Sequence, residues 1–157
     1  MKVIDRRGFL VRTGGGAVAF AFSPVLEGMT PLAASEEPLQ TGVVGVGRQG
    51  RAILAELAKL PASQVVAIAD PDERRVKAGL RRAEGAMAFS SVEEMISGTE
   101  GLQAVVVATP THLHRAPAET ALDAGLHVYC EAPMCSTLED AEALASASAA
   151  GKGIFAV

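Results

Sequence analysis

Three glycines in a hexapeptide, Gly45-Val46-Gly47-Arg48-Gln49-Gly50, constrain this chain more than any other stretch. Val43, Val44 and Val46 lead into it as a β-branched run suited to a buried parallel strand. Behind it Ala52, Ile53, Leu54, Leu57, Ala58 and Leu60 recur with helical spacing until Pro61. A strand that turns straight into a helix needs glycine at each place for its own reason. Gly45 permits the tight turn, Gly47 leaves the backbone bare for an approaching pyrophosphate, and Gly50 lets the helix close on the strand. The helix N-terminus then presents free N–H groups and the positive end of its dipole to phosphate.

The glycine pattern gains weight from the next strand. That strand, Val65 to Ala69, ends at Asp70, 20 residues after Gly50. A carboxylate there accepts hydrogen bonds from the adenosine ribose and repels a 2′-phosphate, which favours NAD over NADP. Arg74 and Arg75 come shortly after; they either soften that preference or belong to a solvated helix face.

The remaining chain keeps alternating. A helix is predicted over Pro71–Glu84, with Pro71 in the tolerated first turn, and a short strand over Ala86–Phe89. Ser91 and Glu94 form a capping box for a helix through Ile96. Gln103–Ala108 reads as a strand, followed by the polar loop Thr109-Pro110-Thr111-His112-Leu113-His114 and a helix over Arg115–Ala124. Leu126–Cys130 is the next strand and Glu131-Ala132-Pro133-Met134 its loop. Thr137 and Asp140 resemble a cap for a helix to Ala150, and Ile154–Val157 is a sixth strand. This order predicts an α/β fold with a doubly wound parallel sheet of Rossmann type and right-handed crossovers. Ligands in such sheets bind beyond the carboxyl ends of the strands. The glycine turn, Asp70, the Thr109 loop and the Glu131 loop share that edge.

Composition supports a packed domain: 49% of residues are hydrophobic and 20% charged, while aromatics reach only 4% and tryptophan is absent, so Ala, Val and Leu must build the core. A net charge of -4 gives no reason to expect nucleic-acid or anionic-membrane partners. Cys130 and Cys135 are too few for a disulfide framework and lack zinc-site spacing. They read as small buried residues, and no metal is expected.

The N-terminus carries an address. Asp5-Arg6-Arg7-Gly8-Phe9-Leu10 resembles the twin-arginine export signal, and an apolar stretch from Gly14 to Phe22 and small residues at Ala33, Ala34 and Ser35 follow in order. That stretch is too short for a bilayer core of about 30 Å, which takes about 20 apolar residues. Residues 1–34 are therefore expected to be a signal peptide, 35–39 a linker and 40–157 the folded domain. The expected location is the periplasm or another exported compartment.

Four motifs together resemble the Gfo/Idh/MocA oxidoreductase family: the glycine hexapeptide, Ala69-Asp70-Pro71-Asp72, Ala108-Thr109-Pro110-Thr111-His112-Leu113-His114, and Gly125-Leu126-His127-Val128-Tyr129-Cys130-Glu131-Ala132-Pro133. The resemblance implies an NAD site. Gly45, Val46, Gly47, Arg48, Gln49 and Gly50 would surround the pyrophosphate, Asp70 would hold the ribose, Thr109 and Pro110 would line the dinucleotide, His114 would support that loop or touch the ligand, and Glu131 would sit near the nicotinamide. His112 and His127 are expected to be structural or exposed. Ala132 departs from the family's Glu-Lys-Pro motif. Alanine cannot polarise a hydroxyl or move a proton, so no catalytic residue is assigned.

The family also carries a second α/β domain for substrate, which this chain lacks, so the chain reads as a fragment, a truncated product or an incomplete gene model. Its activity would be NAD-dependent oxidation of a sugar or polyol, complete only with that domain, where a homo-oligomer is possible. The alternatives are a glycosidase that uses bound NAD transiently and a non-catalytic dinucleotide-binding module. S-adenosylmethionine would also suit the glycine turn and the ribose acid, but the Thr109 and Glu131 loops argue against it.

Overall fold

The structure, a computed structural model, describes residues 37–157. The expected signal peptide and the start of the linker lie outside the described residues. From Leu39 the chain alternates strand and helix without interruption: β1 (Leu39–Val44), α1 (Arg48–Leu57), β2 (Ser63–Ala69), α2 (Glu73–Leu80), β3 (Met87–Phe89), α3 (Val92–Gly98), β4 (Ala104–Val107), α4 (Arg115–Asp123), β5 (His127–Cys130), α5 (Leu138–Ala150) and β6 (Phe155–Ala156). A 3-10 turn, Thr111–Leu113, leads into α4. The strands form one sheet in the order β3-β2-β1-β4-β5-β6. Every pairing is parallel. This is the doubly wound Rossmann arrangement that the alternation predicts. Among the described residues no helix is long and apolar enough to cross a membrane.

Boundaries shift where local hydrogen bonds outrank pattern. β1 begins at Leu39, within the stretch expected as linker, and Val46 lies beyond the strand in the turn. α2 starts after Pro71 because Asp72 caps it, its side chain accepting the Arg74 N–H at 2.8 Å, and it ends at Leu80, short of the expected Glu84. In α3 the Ser91 hydroxyl accepts the Glu94 N–H at 3.2 Å, as the capping box predicts. Glu94 itself turns one residue further back, accepting both the Ser90 N–H and the Ser90 hydroxyl. Those two bonds hold its carboxyl below the usual range. Thr137 caps α5 by accepting the Asp140 N–H at 3.1 Å.

Two apolar layers hold the sheet. On one face Leu54 of α1 and Ala83, just past α2, pack against Val43, Ile68 and Val106, with Val76 and Leu80 of α2 beside them. On the other, α3, α4 and α5 bring Met95, Ala118, Ala121, Leu122 and Leu144 onto Val44, Ala69, Val105, Val107, Val128 and Cys130. The helices thus divide between the faces by halves of the chain, and the division leaves a gap. Along β5, Val128 and Cys130 are buried while His127 and Tyr129 are exposed. A parallel strand is usually covered on both faces; among the described residues β5 is covered on one. A shallow apolar groove lies there, where Tyr129, Val106 and Ala156 meet Ile53 and Leu57 of α1.

Cys130 is buried and Cys135 partly so; both are free thiols. Burial, with Cys135 and Glu131 nearby, pushes the Cys130 thiol up to about 11. The reading of the pair as packing residues agrees with this.

Candidate functional site

The strand order reverses between β1 and β4, and beyond their carboxyl ends lies a crevice of about 700 Å³. Gly45, Gly47, Arg48, Gln49, Asp70, Thr109 and Pro110 line it. Sequence spacing places all seven at this edge. The crevice also takes in Arg51 and Arg75, Ser90 to Glu93 after β3, and Leu113, Ala116 and Pro117 at the head of α4. Of these, sequence reasoning raises only Arg75, as a residue that either softens the preference for NAD or belongs to a solvated helix face. The signal is available for the Ser90 stretch, since the end of β3 falls on the same edge as the ends of β1 and β2.

The three glycines differ physically. Gly45 adopts φ +85°, and a Cβ there would come within 2.8 Å of the Ala108 carbonyl oxygen. A Cβ on Gly50 would collide with the Gly45 carbonyl. Gly47 is unlike both: a Cβ there would meet nothing within 4 Å. Packing among the described residues does not require glycine at 47.

The helix heads point the same way. α2, α3 and α5 each have a side-chain N-cap and at least one acidic residue in the first turn. α1 and α4, which follow the two strands flanking the reversal, have neither. Their first-turn N–H groups lack intrahelical partners, and the positive dipole ends stand uncompensated beside the crevice. A pyrophosphate would satisfy both needs.

Asp70 is more deeply engaged than a ribose ligand alone requires. Its Oδ2 accepts the Val46 N–H at 3.0 Å and its Oδ1 the Asp72 N–H at 2.9 Å. It thus fastens the glycine turn to the end of β2, with a second lone pair left on each oxygen. Arg51 steadies the same turn by donating to the Val46 carbonyl at 3.0 Å. Val46 and Gly50 are buried and do not line the crevice.

His114 is 2% exposed, and its Nε2 lies 2.8 Å from the Thr109 carbonyl oxygen. Nε2 therefore carries the proton and donates, which makes His114 a support of the Thr109 loop. Its Nδ1 and the Thr109 hydroxyl are buried with no hydrogen-bond partner among the described residues. Glu131 reaches across the edge, accepting from Gln49 Nε2 at 2.9 Å. Ala132 is exposed and joined to Pro133 by a cis peptide bond. His127 is exposed, and its Nδ1 accepts the Ile154 N–H. Arg115 ties α4 to α5, donating to Glu119 at 3.0 Å and to Asp140 at 3.2 Å.

Fold and crevice together define a doubly wound α/β domain built around a phosphate-facing switch point. The chain belongs to the Gfo/Idh/MocA family: residues 39–157 match the oxidoreductase family with an NAD-binding Rossmann fold. Inositol 2-dehydrogenase 1 of Saccharopolyspora erythraea is 35% identical over 103 residues, 65% of this chain and 31% of that protein. A glycosyl hydrolase family 109 protein of Shewanella amazonensis is 28% identical over 162 residues, 89% of this chain and 36% of that one. Among solved structures, the WlbA dehydrogenase of Chromobacterium violaceum, in complex with NADH and UDP-GlcNAcA, matches with a TM-score of 0.72 at 26% identity. That match covers 77% of this chain and 35% of the other. The chain spans about a third of the length of these relatives.

Proposed function

We propose that the crevice binds NAD and that the chain is the dinucleotide-binding part of an oxidoreductase acting on a sugar or polyol. The observation that carries this reading is the open space at Gly47 beside the uncapped head of α1. The backbone N–H groups of Arg48 and Gln49 would meet the pyrophosphate. Asp70 would use its remaining lone pairs on the adenosine ribose, Thr109 and Pro110 would line the path, and His114 would hold their loop. Glu131 would sit near the nicotinamide. NAD, when bound, supplies an acceptor for hydride. Ala132 contributes no proton donor, so proton transfer must fall to groups that the described residues do not identify. The relatives' names support the carbohydrate class. Calorimetry on the full chain tests the binding: NAD should bind with a measurable heat, and its failure to bind would defeat the reading.

A second reading has an observation of its own. The match to the glycosyl hydrolase family 109 protein covers 89% of this chain, whereas residues 37–157 are 121 of its 157. The likeness therefore takes in part of residues 1–36 as well. It favours a glycosidase whose bound NAD is not consumed overall. Release of nitrophenol from an aryl glycoside, with no net NADH formed, would select it over the dehydrogenase. In a protein that carries the family's second domain, NAD binding with neither reaction would mark a non-catalytic binding module.

Export by the twin-arginine route is part of the proposal. A reporter fused to residues 1–35 should leave the cytoplasm, and Arg6→Lys with Arg7→Lys should retain it. Export unaffected by that pair would remove the assignment.

A further inference from the structure

Asp70 is the residue expected to turn a 2′-phosphate away, yet its charge does not stand alone. Its side chain is 2% exposed, and two backbone N–H groups already donate to it. Arg75 Nη1 lies 4.0 Å from Asp70 Oδ2, and Arg75 Nε lies 3.5 Å from Asp72 Oδ2. The Arg75 side chain is 52% exposed and lines the crevice beside Asp70, Pro71 and Ser90. A group hydrogen-bonded to Asp70 from inside the crevice would thus lie within reach of a guanidinium.

We propose that Arg75 sets the choice between dinucleotides: it offsets Asp70 and takes a 2′-phosphate, so this site admits NADP only modestly less well than NAD. The inference rests on reading the crevice as a dinucleotide site. Three features support it. A guanidinium offers a planar fork of donors that matches a phosphate. Its present ion pairs are long, and one of them is to the exposed Asp72, so turning toward a phosphate sacrifices little. The neighbouring cations are otherwise placed: Arg51 is engaged with the Val46 carbonyl, Arg48 stands at the head of α1, and Arg74 does not line the crevice. Of the residues after β2, only Arg75 combines the carboxylate, the crevice and a free reach.

The test is calorimetry of the full chain with NAD and with NADP, read as the ratio of the two dissociation constants. The wild-type ratio should lie below about tenfold, a difference of about 1.4 kcal/mol. Arg75→Gln should widen it by about tenfold or more, mainly through NADP, since removing a phosphate-binding arginine strands the charge. Arg75→Lys should give an intermediate ratio, and Arg74→Gln should leave it unchanged. Added salt should weaken NADP more than NAD in the wild type, and less so in Arg75→Gln. A wild-type ratio above about a hundredfold, or a ratio indifferent to Arg75→Gln, overturns the proposal while leaving the dinucleotide site standing. Absence of NAD binding in the wild type defeats both. NAD binding by each variant reports that it has folded.

Discussion

At the scale of single residues, the glycine turn separates structure from function within six positions. Gly50 is glycine because a side chain would strike the Gly45 carbonyl, and Gly47 is glycine although nothing in the protein crowds it. Gly50→Ala should therefore fail to fold or lose most of its stability, since backbone must move to admit the methyl group. Gly47→Ala should unfold within a few degrees of the wild type, because the helix start changes by about 1 kcal/mol at most, yet bind NAD at least about tenfold more weakly. Thermal unfolding and calorimetry on the two variants check this contrast, and equal losses of stability would contradict it. The triplet and Asp70 are legible in the sequence because their spacing is local. The second task of Asp70 is not legible: the Val46 N–H it receives lies 24 residues away and meets it only when β1 and β2 pair. Arg75 stays between two readings for the same reason, since a helix face and a crevice wall look alike until α2 is placed.

At the scale of elements, the order of strands and helices is readable throughout, because each has its own apolar period and its own stop. The ends are less so. α2 starts where Asp72 finds an N–H to accept, and a pattern of apolar residues does not register that choice. The caps on α2, α3 and α5 secure helices of 8, 7 and 13 residues, two of them too short to persist alone. Ser91→Ala should accordingly cost about 1 kcal/mol, typical of losing a hydroxyl cap. Urea unfolding of the variant measures it, and a change within error would show that Ser90 and Glu94 hold α3 without Ser91. For α5, the Thr137 hydroxyl and then Arg115 hold the Asp140 carboxyl below its ordinary range. Its contribution is present above the ordinary carboxylate range and is lost as pH falls through the lower folded value.

At the scale of the described domain, stability at alkaline pH should follow one buried thiol. Cys130 keeps its proton in the fold to about 11, against an ordinary value of 9.0. Between those values the unfolded chain releases the proton first, so the unfolded state gains and the contribution falls as pH rises; below about 9 it is fully present. Urea midpoints measured from pH 8 to 10.5 should decline, and Cys130→Ala should flatten that slope while lowering stability at neutral pH. A slope that survives the substitution would place its origin elsewhere. The composition foretells this kind of core: small and branched side chains, with a cysteine filling a place beneath β5. The open side of β5 is also written in the alternation His127-Val128-Tyr129-Cys130, but it is obscured by the expectation that parallel strands are buried on both faces.

The open side of β5 gives the protein an optical handle of its own. The chain has no tryptophan and one tyrosine, Tyr129, and that ring stands 43% exposed on the groove between α1 and β6. Emission excited in the tyrosine band, where phenylalanine does not absorb, therefore has a single source at a known address. Whatever lies down on that face would shield the ring from water and from small quenchers, and events confined to the crevice would leave its surroundings alone. Iodide or acrylamide quenching could then report coverage of the face without a label, a reporter fusion or a substitution.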